Sequence, residues 1–366
     1  MRPTRSKPDY TLITLVAILL VFGVIMITSA SGPLAVAKFH DSFFFAKRHL
    51  LNGILPGIVA FLITSRIDYF KWQKLSWLLY GATLLILALV FVPGLGQSFG
   101  KTQSWISIAG ISVQTSELGK LGFTLALAGF LAKRGARTLA SITQGLVPFL
   151  IFFGIVLALL IKQPDVGTAT VYMAIAGVMY FVAGAPWIQF AGLGAAGLAG
   201  VYVLIKAAPY RAARLTVFLH PELDPQGVGY HVNQALLAIG SGGIFGLGLG
   251  QSRQKFQYLP EVAGDSIFAV IGEELGFFLS SLVIILIVAI GLRILKIARE
   301  ADEYGRLVAI GIAAWFFFQS LANIGAMVTL LPLVGLPLPF VSFGGTAMVT
   351  NLAALGVLVN ISRSRS

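Results

Sequence analysis

The stretch FQYLPEVAGDSIFAVIGEELG, residues 256–276, sets Glu261 and Asp265 in a polar loop and Glu273 and Glu274 inside the apolar run that follows. Carboxylates at a water–lipid boundary cost free energy unless they are solvated, paired or functional, so they mark a site by default. The run itself, 266–292, is long enough to cross a bilayer, for which about 20 residues suffice. Nine further stretches read the same way: 11–31, 50–64, 75–93, 117–132, 144–161, 167–185, 188–206, 307–330 and 343–361. They are continuously apolar and do not alternate, which predicts helices and not a barrel.

Composition agrees. Of the 366 residues 57% are apolar and 11% charged, against roughly 25% charged in soluble domains. The expected fold class is an all-α integral membrane protein, a single polytopic domain over 1–366 with ten transmembrane helices. The first apolar run is longer than the about 7–15 residues of a signal-peptide core, so it reads as an uncleaved anchor. Cysteine is absent, which excludes disulfides and thiol chemistry.

Lys and Arg set the orientation. With the N-terminus inside, the inner segments carry fifteen of the 26, the outer segments ten, and Lys120 lies within a span. The expectation is therefore cytoplasmic N- and C-termini and a multi-pass protein of the cell membrane. Five of the ten outer cations, Lys206, Arg211, Arg214, Arg253 and Lys255, fall in one long outer segment, 206–265, between spans 7 and 8. Long segments tolerate such charge; alternatively they form a basic vestibule for an anionic ligand. The net charge of +12 fits anionic lipid or an anionic substrate, and no nucleic-acid partner is expected. Within this segment HVNQALLAI, 231–239, predicts a short helix against the membrane surface. GSGGIFGLGLG, 240–250, reads as close packing of loop on helix, since neither a preceding strand nor a GK[ST] accompanies it.

Asp265, at the outer mouth of the eighth span, is the leading chemical candidate. It can take a proton, orient a divalent cation, or cap the helix beginning at Ser266. Glu261 is a second ligand or a solvated loop acid. Glu117 and Lys120 stand three apart and so share a helical face, as a fixed ion pair or as a phosphate-binding Lys120 steadied by Glu117. Lys162, Gln163 and Asp165 put further polar groups at the outer end of the fifth span, where Asp165 can cap the next helix. Glu273 and Glu274 point about 100° apart and cannot both face one partner, with Gln319, Asn323 and Asn351 as polar residues opposite them. LPLVGLPLPFVSFGG, 331–345, holds three prolines and no charge, which predicts a broken segment beside a cavity. The four histidines, His40, His49, His220 and His231, show no metal-pair spacing, and neither HExxH nor GxSxG occurs.

KQPDVGT at 162–168, PELDPQGVGYHVNQALLAIGSGG at 221–243, YLPEVAGDSIFAVIGEELG at 258–276 and PLPFVSFGGT at 337–346 occur in that order. Together they resemble the SEDS family (shape, elongation, division and sporulation), the ten-span peptidoglycan polymerases that include RodA and FtsW. DSFFFAKR at 41–48, APYRAARLTVFLHPELDP at 208–225 and IGIAAWFFFQSLANIGA at 310–326 are more similar to the FtsW division branch, with RodA second.

The resemblance implies polymerisation of lipid II, the undecaprenyl-pyrophosphate-linked disaccharide pentapeptide, at the outer leaflet. A class B penicillin-binding transpeptidase and other division-complex membrane proteins are the implied partners, and the division septum the implied location. It makes Asp265 the catalytic base. Glu117, Lys120, Lys101, Lys162, Gln163, Asp165, Arg211, Arg214, Glu261 and Ser342 would bind substrate. No cofactor is required by the pattern, although a divalent cation, Mg or Mn, would assist the diphosphate, with Asp265 as its ligand. Two departures from the family pattern stand out: Ala263-Gly264 precede Asp265 where members often carry His-Thr, and Ser104 precedes Trp105 where many carry Arg. The rival expectations are a lipid II flippase, a non-catalytic scaffold for the penicillin-binding protein, and an elongation polymerase of the RodA kind.

Overall fold

The computed structural model describes residues 7–99, 102–108, 110–206, 218 and 227–364. In chain order it contains α1 (Tyr10–Phe39), α2 (Phe44–Arg66), α3 (Tyr69–Lys74), α4 (Ser76–Leu89), β1 (Gly96–Phe99), β2 (Thr102–Ile108) and β3 (Ile111–Gln114). There follow α5 (Thr115–Ala132), α6 (Ala136–Ala140), α7 (Ile142–Lys162), α8 (Val166–Val182), α9 (Trp187–Lys206) and α10 (Val228–Gly242). The chain ends in α11 (Ile267–Glu300), α12 (Glu303–Met327) and α13 (Gly345–Ser362). A helix lies over each predicted apolar stretch. Among the described residues six are long and apolar enough to cross a membrane: α1, α2, α7, α11, α12 and α13. Two more, α4 and α8, are shorter apolar helices.

Burial separates a lipid-facing shell from an interior. Only about a third of the apolar window of α1, α2 and α11 is buried inside the protein, against 67% for α12 and 83% for α13. α12 packs on α5, α8, α11 and α13, and α13 packs closely on α2. Small residues permit that approach, as in lipid generally, where helices associate by close packing. Thr64 of α2 donates its hydroxyl to the carbonyl of Ala353, 2.9 Å away on α13.

The all-α expectation needs one correction. β1, β2 and β3 form an antiparallel three-stranded sheet in that order, with Trp105 opposite Gln114 and Gly110 at φ +80° before β3. Its strands carry the β-branched and aromatic alternation TQSWISI, which favours a pleated surface over a helix. The sheet is tied down at two places: Gln103 N–H donates to the Gln163 carbonyl (3.0 Å), and Gln114 N–H donates to Thr346 Oγ1 (3.1 Å).

α11 is broken at Gly276 (φ +72°, ψ −175°), and the glycine-rich loop fills the break. The amides of Leu247 and Gly248 donate to the carbonyls of Glu273 and Glu274, each at 3.0 Å. The amides of Phe277 and Phe278 donate to Gly243 and Ile244 at 2.9 and 3.1 Å. Backbone freed by a helix break inside a membrane protein must be satisfied by protein, and here loop backbone does it. A β-carbon at Gly246, itself at φ +82°, would overlap the 274–275 backbone. Close packing is thus the role of GSGGIFGLGLG.

Candidate active site

α5 begins where the sheet ends, and its first turns carry Ser116, Glu117 and Lys120, all buried. Lys120 Nζ donates to Glu117 Oε1 and to Gln319 Oε1, both at 2.7 Å, and lies 4.6 Å from the centre of the Trp315 ring. The indole N–H of Trp315 donates to the same Gln319 oxygen at 2.8 Å. A fully buried ammonium needs this much compensation, because an unpaired charge at such a site would cost several kcal/mol (roughly 3–5 on loss of one partner). Glu117 keeps one oxygen, Oε2, buried and without a partner among the described residues.

Asp165 caps α8, accepting from Thr168 N–H at 3.1 Å, and its other oxygen accepts from Ser116 Oγ at 2.6 Å. It therefore closes the Glu117–Lys120 cluster from the α7–α8 turn. Gln163, fully buried, donates to the Leu87 carbonyl at 2.6 Å and leaves its own side-chain oxygen unpartnered among the described residues. Lys162 is exposed, its ammonium 4.9 Å from the Phe91 ring centre.

Asp265 lies half-buried at the end of the loop leading into α11. The N-cap position of that helix is Ser266, not Asp265, and Ser266 makes no side-chain cap. Its hydroxyl instead donates to the Pro260 carbonyl (2.6 Å) and pairs with His231 Nε2 of α10 (2.5 Å), which pins the loop. Ser342 donates to the Gly264 carbonyl and accepts from Leu338 N–H, both at 2.8 Å, while Phe343 N–H donates to Ala263 O at 2.7 Å. The proline-rich segment 331–345 is non-helical up to Gly345, as expected, and its residues Leu336, Leu338 and Val341 are buried. Between it and α12 lies a narrow cleft, with no room for a water molecule, lined by Asp265, Asn323, Met327, Val334, Gly335 and Leu336, among others. Gly335, at φ +70°, is placed so that a β-carbon would sit 3.2 Å from Asp265 Oδ2. Glu261 is exposed, with φ +50°, and its carbonyl accepts from Gly264 and Ser266 N–H.

α12 joins the two groups of residues. Gln319 donates to Pro337 O, and Asn323 Nδ2 donates to both Leu336 O and Asp265 O, each at 2.8 Å. Four residues on a helix rise about 6 Å, so Lys120 and the Asp265 backbone are held one turn apart on the same face.

Glu273 and Glu274 depart from expectation. Both are buried, and both address the loop 252–255, not Gln319, Asn323 or Asn351. Glu273 accepts from Ser252 Oγ (2.5 Å) and Arg253 N–H (2.8 Å). Glu274 accepts from Ser29 Oγ of α1 (2.6 Å) and from Lys255 Nζ (2.8 Å). The loop wraps round the helix, so side chains about 100° apart meet successive residues of one segment. Lys255 is accordingly buried in an ion pair and belongs to no basic vestibule. Arg253 and Lys206 are exposed. Lys101, Arg211 and Arg214 lie outside the described residues, as does His220. Among the described residues no three His, Cys, Asp or Glu side chains gather as a metal site would require.

Sequence reasoning missed Gly335 and the tethering roles of Gln319, Asn323 and His231. The i, i+4 spacing of Gln319 and Asn323 in an otherwise apolar helix was the available signal.

A family model described as "Cell cycle protein", that of FtsW, RodA and SpoVE, matches residues 10–366. Stage V sporulation protein E of Bacillus subtilis (strain 168) is 42% identical over 99% of both chains. A protein of Trichlorobacter lovleyi named "Probable peptidoglycan glycosyltransferase FtsW" is 38% identical over 99% of this chain and 95% of its own. Among solved structures, a chain from a study of how a peptidoglycan synthase complex coordinates polymerization and crosslinking has a TM-score of 0.83. It is 28% identical and covers 98% of each chain. The Thermus thermophilus rod shape determining protein RodA gives a TM-score of 0.71 at 27% identity, covering 98% of this chain and 97% of that one. The chain belongs to the FtsW/RodA/SpoVE family and is a multi-pass membrane protein with that family's RodA-like fold.

Proposed function

We propose that the chain is a peptidoglycan glycosyltransferase that polymerises lipid II at the outer leaflet, threading the membrane ten times with both termini cytoplasmic. The observation that carries this reading is the position of Asp265. Its carboxylate borders a cleft and its backbone is tethered to the helix that also holds the buried Lys120. Relatives named peptidoglycan glycosyltransferase, 36–39% identical over nearly the whole chain, agree with it.

In this reading Asp265 removes the proton of a sugar 4-hydroxyl as that oxygen bonds to the anomeric carbon of the second lipid II. The bond from that carbon to the diphosphate breaks, and undecaprenyl diphosphate leaves with the electron pair. One displacement inverts an α-linked donor to a β-linked product, so no covalent enzyme intermediate is needed. Cationic side chains of the outer face, Lys101, Lys162, Arg211 and Arg214, stabilise the departing charge. Lys120 organises Glu117, Gln319 and Trp315. The hard oxygens of Asp265 suit Mg or Mn, which would neutralise the diphosphate. With no second carboxylate gathered there among the described residues, such an ion would take its other ligands from water and substrate.

The resemblance to a synthase-complex chain supports a class B penicillin-binding protein as partner, and FtsW-named relatives support a place at the division septum. A second reading keeps the chemistry but assigns it to sporulation, favoured by the 42% identity to a stage V sporulation protein. Depletion separates these: filamentous cells support division, whereas normal growth with failed spores supports sporulation. The activity itself is tested with the purified protein, its transpeptidase partner and labelled lipid II in vesicles. Glycan strands are expected. Lipid II moved between leaflets without polymer would favour a flippase.

A further inference from the structure

Where α2 and α13 end, the surface opens into a pocket of about 210 Å³ lined by Arg66, Asp68, Asn360, Arg363 and Ser364. One water needs roughly 10–15 Å³ of such space, so a group of several heavy atoms fits. Asn360 builds the pocket. Its amide donates to Ser65 O (3.0 Å) and accepts from Tyr69 N–H (2.9 Å), which fixes the turn carrying Arg66 and Asp68. Arg363 is less well provided: its Nη1 reaches Ser65 O only at 3.4 Å, and its buried Nε has no acceptor among the described residues. The Arg66 guanidinium has neither an ion pair nor a hydrogen bond among them. Asp68 lines the same pocket without pairing with either arginine, its Oδ1 capping α3 by accepting from Phe70 N–H at 3.1 Å. Helix C-termini favour cations, which explains why arginines stand here. It does not explain why two of them share a roomy pocket unpaired, and a guanidinium fork is the group best matched to phosphate oxygens.

The face of α2 that leads to this pocket is apolar and exposed, through Leu55, Ile58, Val59, Leu62 and Ile63. Steps of three and four residues put these on one side of the helix, and Arg66 is the next position in the series. From Leu55 to Arg66 the helix rises about 16 Å, close to half of the roughly 30 Å hydrocarbon core. An acyl chain lying on the stripe therefore brings its headgroup phosphate to Arg66.

We propose that this pocket binds the phosphodiester of an anionic phospholipid of the inner leaflet, held by Arg66 and Arg363 with its chains along α2. The inference rests on the reading that both termini are cytoplasmic. Arg66, Arg363 and Asp68 sum to one positive charge, which a singly anionic headgroup neutralises and a zwitterionic one does not. The second oxygen of Asp68 accepts from a headgroup hydroxyl, as a glycerol headgroup supplies. Basic pockets between helices on the cytoplasmic side are a recurrent form of lipid site.

The test uses the purified full-length protein in detergent, stripped of lipid, with binding of phosphatidylglycerol, phosphatidylethanolamine and phosphatidylcholine read by native mass spectrometry. Phosphatidylglycerol is expected to bind at least about tenfold more tightly than the two zwitterionic lipids, less than two basic residues at a membrane surface can supply. Arg66→Gln/Arg363→Gln is expected to abolish that preference with the lipid-free thermal midpoint unchanged. Arg66→Gln alone, at an exposed position that folding does not depend on, is expected to lose about threefold or more. Lys133→Gln/Arg137→Gln removes the same charge elsewhere on the inner side and is expected to keep the preference. No preference in wild type overturns the proposal. So does its survival in the arginine variants, and so does an equal loss in the control pair, which would assign it to diffuse charge. Glycerol phosphate, a headgroup without chains, is expected to compete only at about a hundredfold higher concentration or more; competition as strong as the lipid's overturns the lipid as the source. Orientation is read separately. The chain has no cysteine, so Ser364→Cys gives a single label site in the pocket, and an impermeant maleimide is expected to reach it only in inside-out vesicles. Labelling from the outer side overturns the inner-leaflet assignment whatever the binding shows.

Discussion

Gln319 and Asn323 lie one helical turn apart on α12, and each binds a carbonyl of the proline-rich segment, Pro337 and Leu336 respectively. From that shared face Gln319 accepts from Lys120 and Asn323 donates to the backbone of Asp265. The two charged groups of the site are thus registered against each other by a single rigid element. A displacement of either amide would be felt at both.

Gln319→Leu removes one of the acceptors of a fully buried ammonium and leaves Pro337 O unsatisfied. The expected cost is about 2–3 kcal/mol of stability, read as a fall in thermal midpoint in detergent, with polymerisation reduced at least tenfold. An unchanged midpoint would show that Lys120 is held without Gln319.

Lys120→Met strands Glu117 in the bundle and should destabilise by about 3–5 kcal/mol, while the double variant Lys120→Met/Glu117→Gln should recover most of that loss. If Lys120 matters beyond the pair, activity stays low in the double variant although stability returns. Thermal unfolding and polymer yield, measured side by side, separate the two contributions.

Gly335→Ala places a β-carbon 3.2 Å from Asp265 Oδ2 and forces a non-glycine residue to φ +70°. The backbone strain is on the order of 1 kcal/mol, so the protein should fold and bind its partner. Polymerisation should drop roughly tenfold or more, since even small misplacement of a reacting group is costly. Wild-type activity in this variant would mean that the carboxylate does not need its present position.

Glu274→Gln breaks the buried pair with Lys255 and weakens the link from α11 to Ser29 of α1. Faster amide exchange is expected across 250–255, with a smaller effect on turnover than any change at Asp265. Exchange rates at the wild-type level would show that the helix break and its backbone bonds hold the loop alone.

The helices and their order were legible because long apolar runs have few alternatives, and 331–345 was legible because three prolines exclude a helix. Asp165 as a cap and Glu117–Lys120 as a pair followed from position and spacing. The sheet of β1, β2 and β3 was hidden: three strands of four to seven residues give too short a run of alternation to stand out beside long apolar helices. Glu273 and Glu274 were misassigned because their partners, Ser252, Arg253 and Lys255, lie in a loop whose path depends on the break at Gly276. No local pattern encodes that path. Gly335 was equally silent, since its meaning comes from the side chain of Asp265, far away in sequence.

Everything turns on the Asp265 carboxylate, and Asp265→Asn tests it with almost no change in shape. The variant is purified with a class B transpeptidase as the proposed partner, its folding checked by thermal unfolding, and labelled lipid II supplied. Loss of at least about a hundredfold in strand formation, as expected on removing a general base, with partner binding intact, is the predicted result. Polymer made at the wild-type rate would contradict the account.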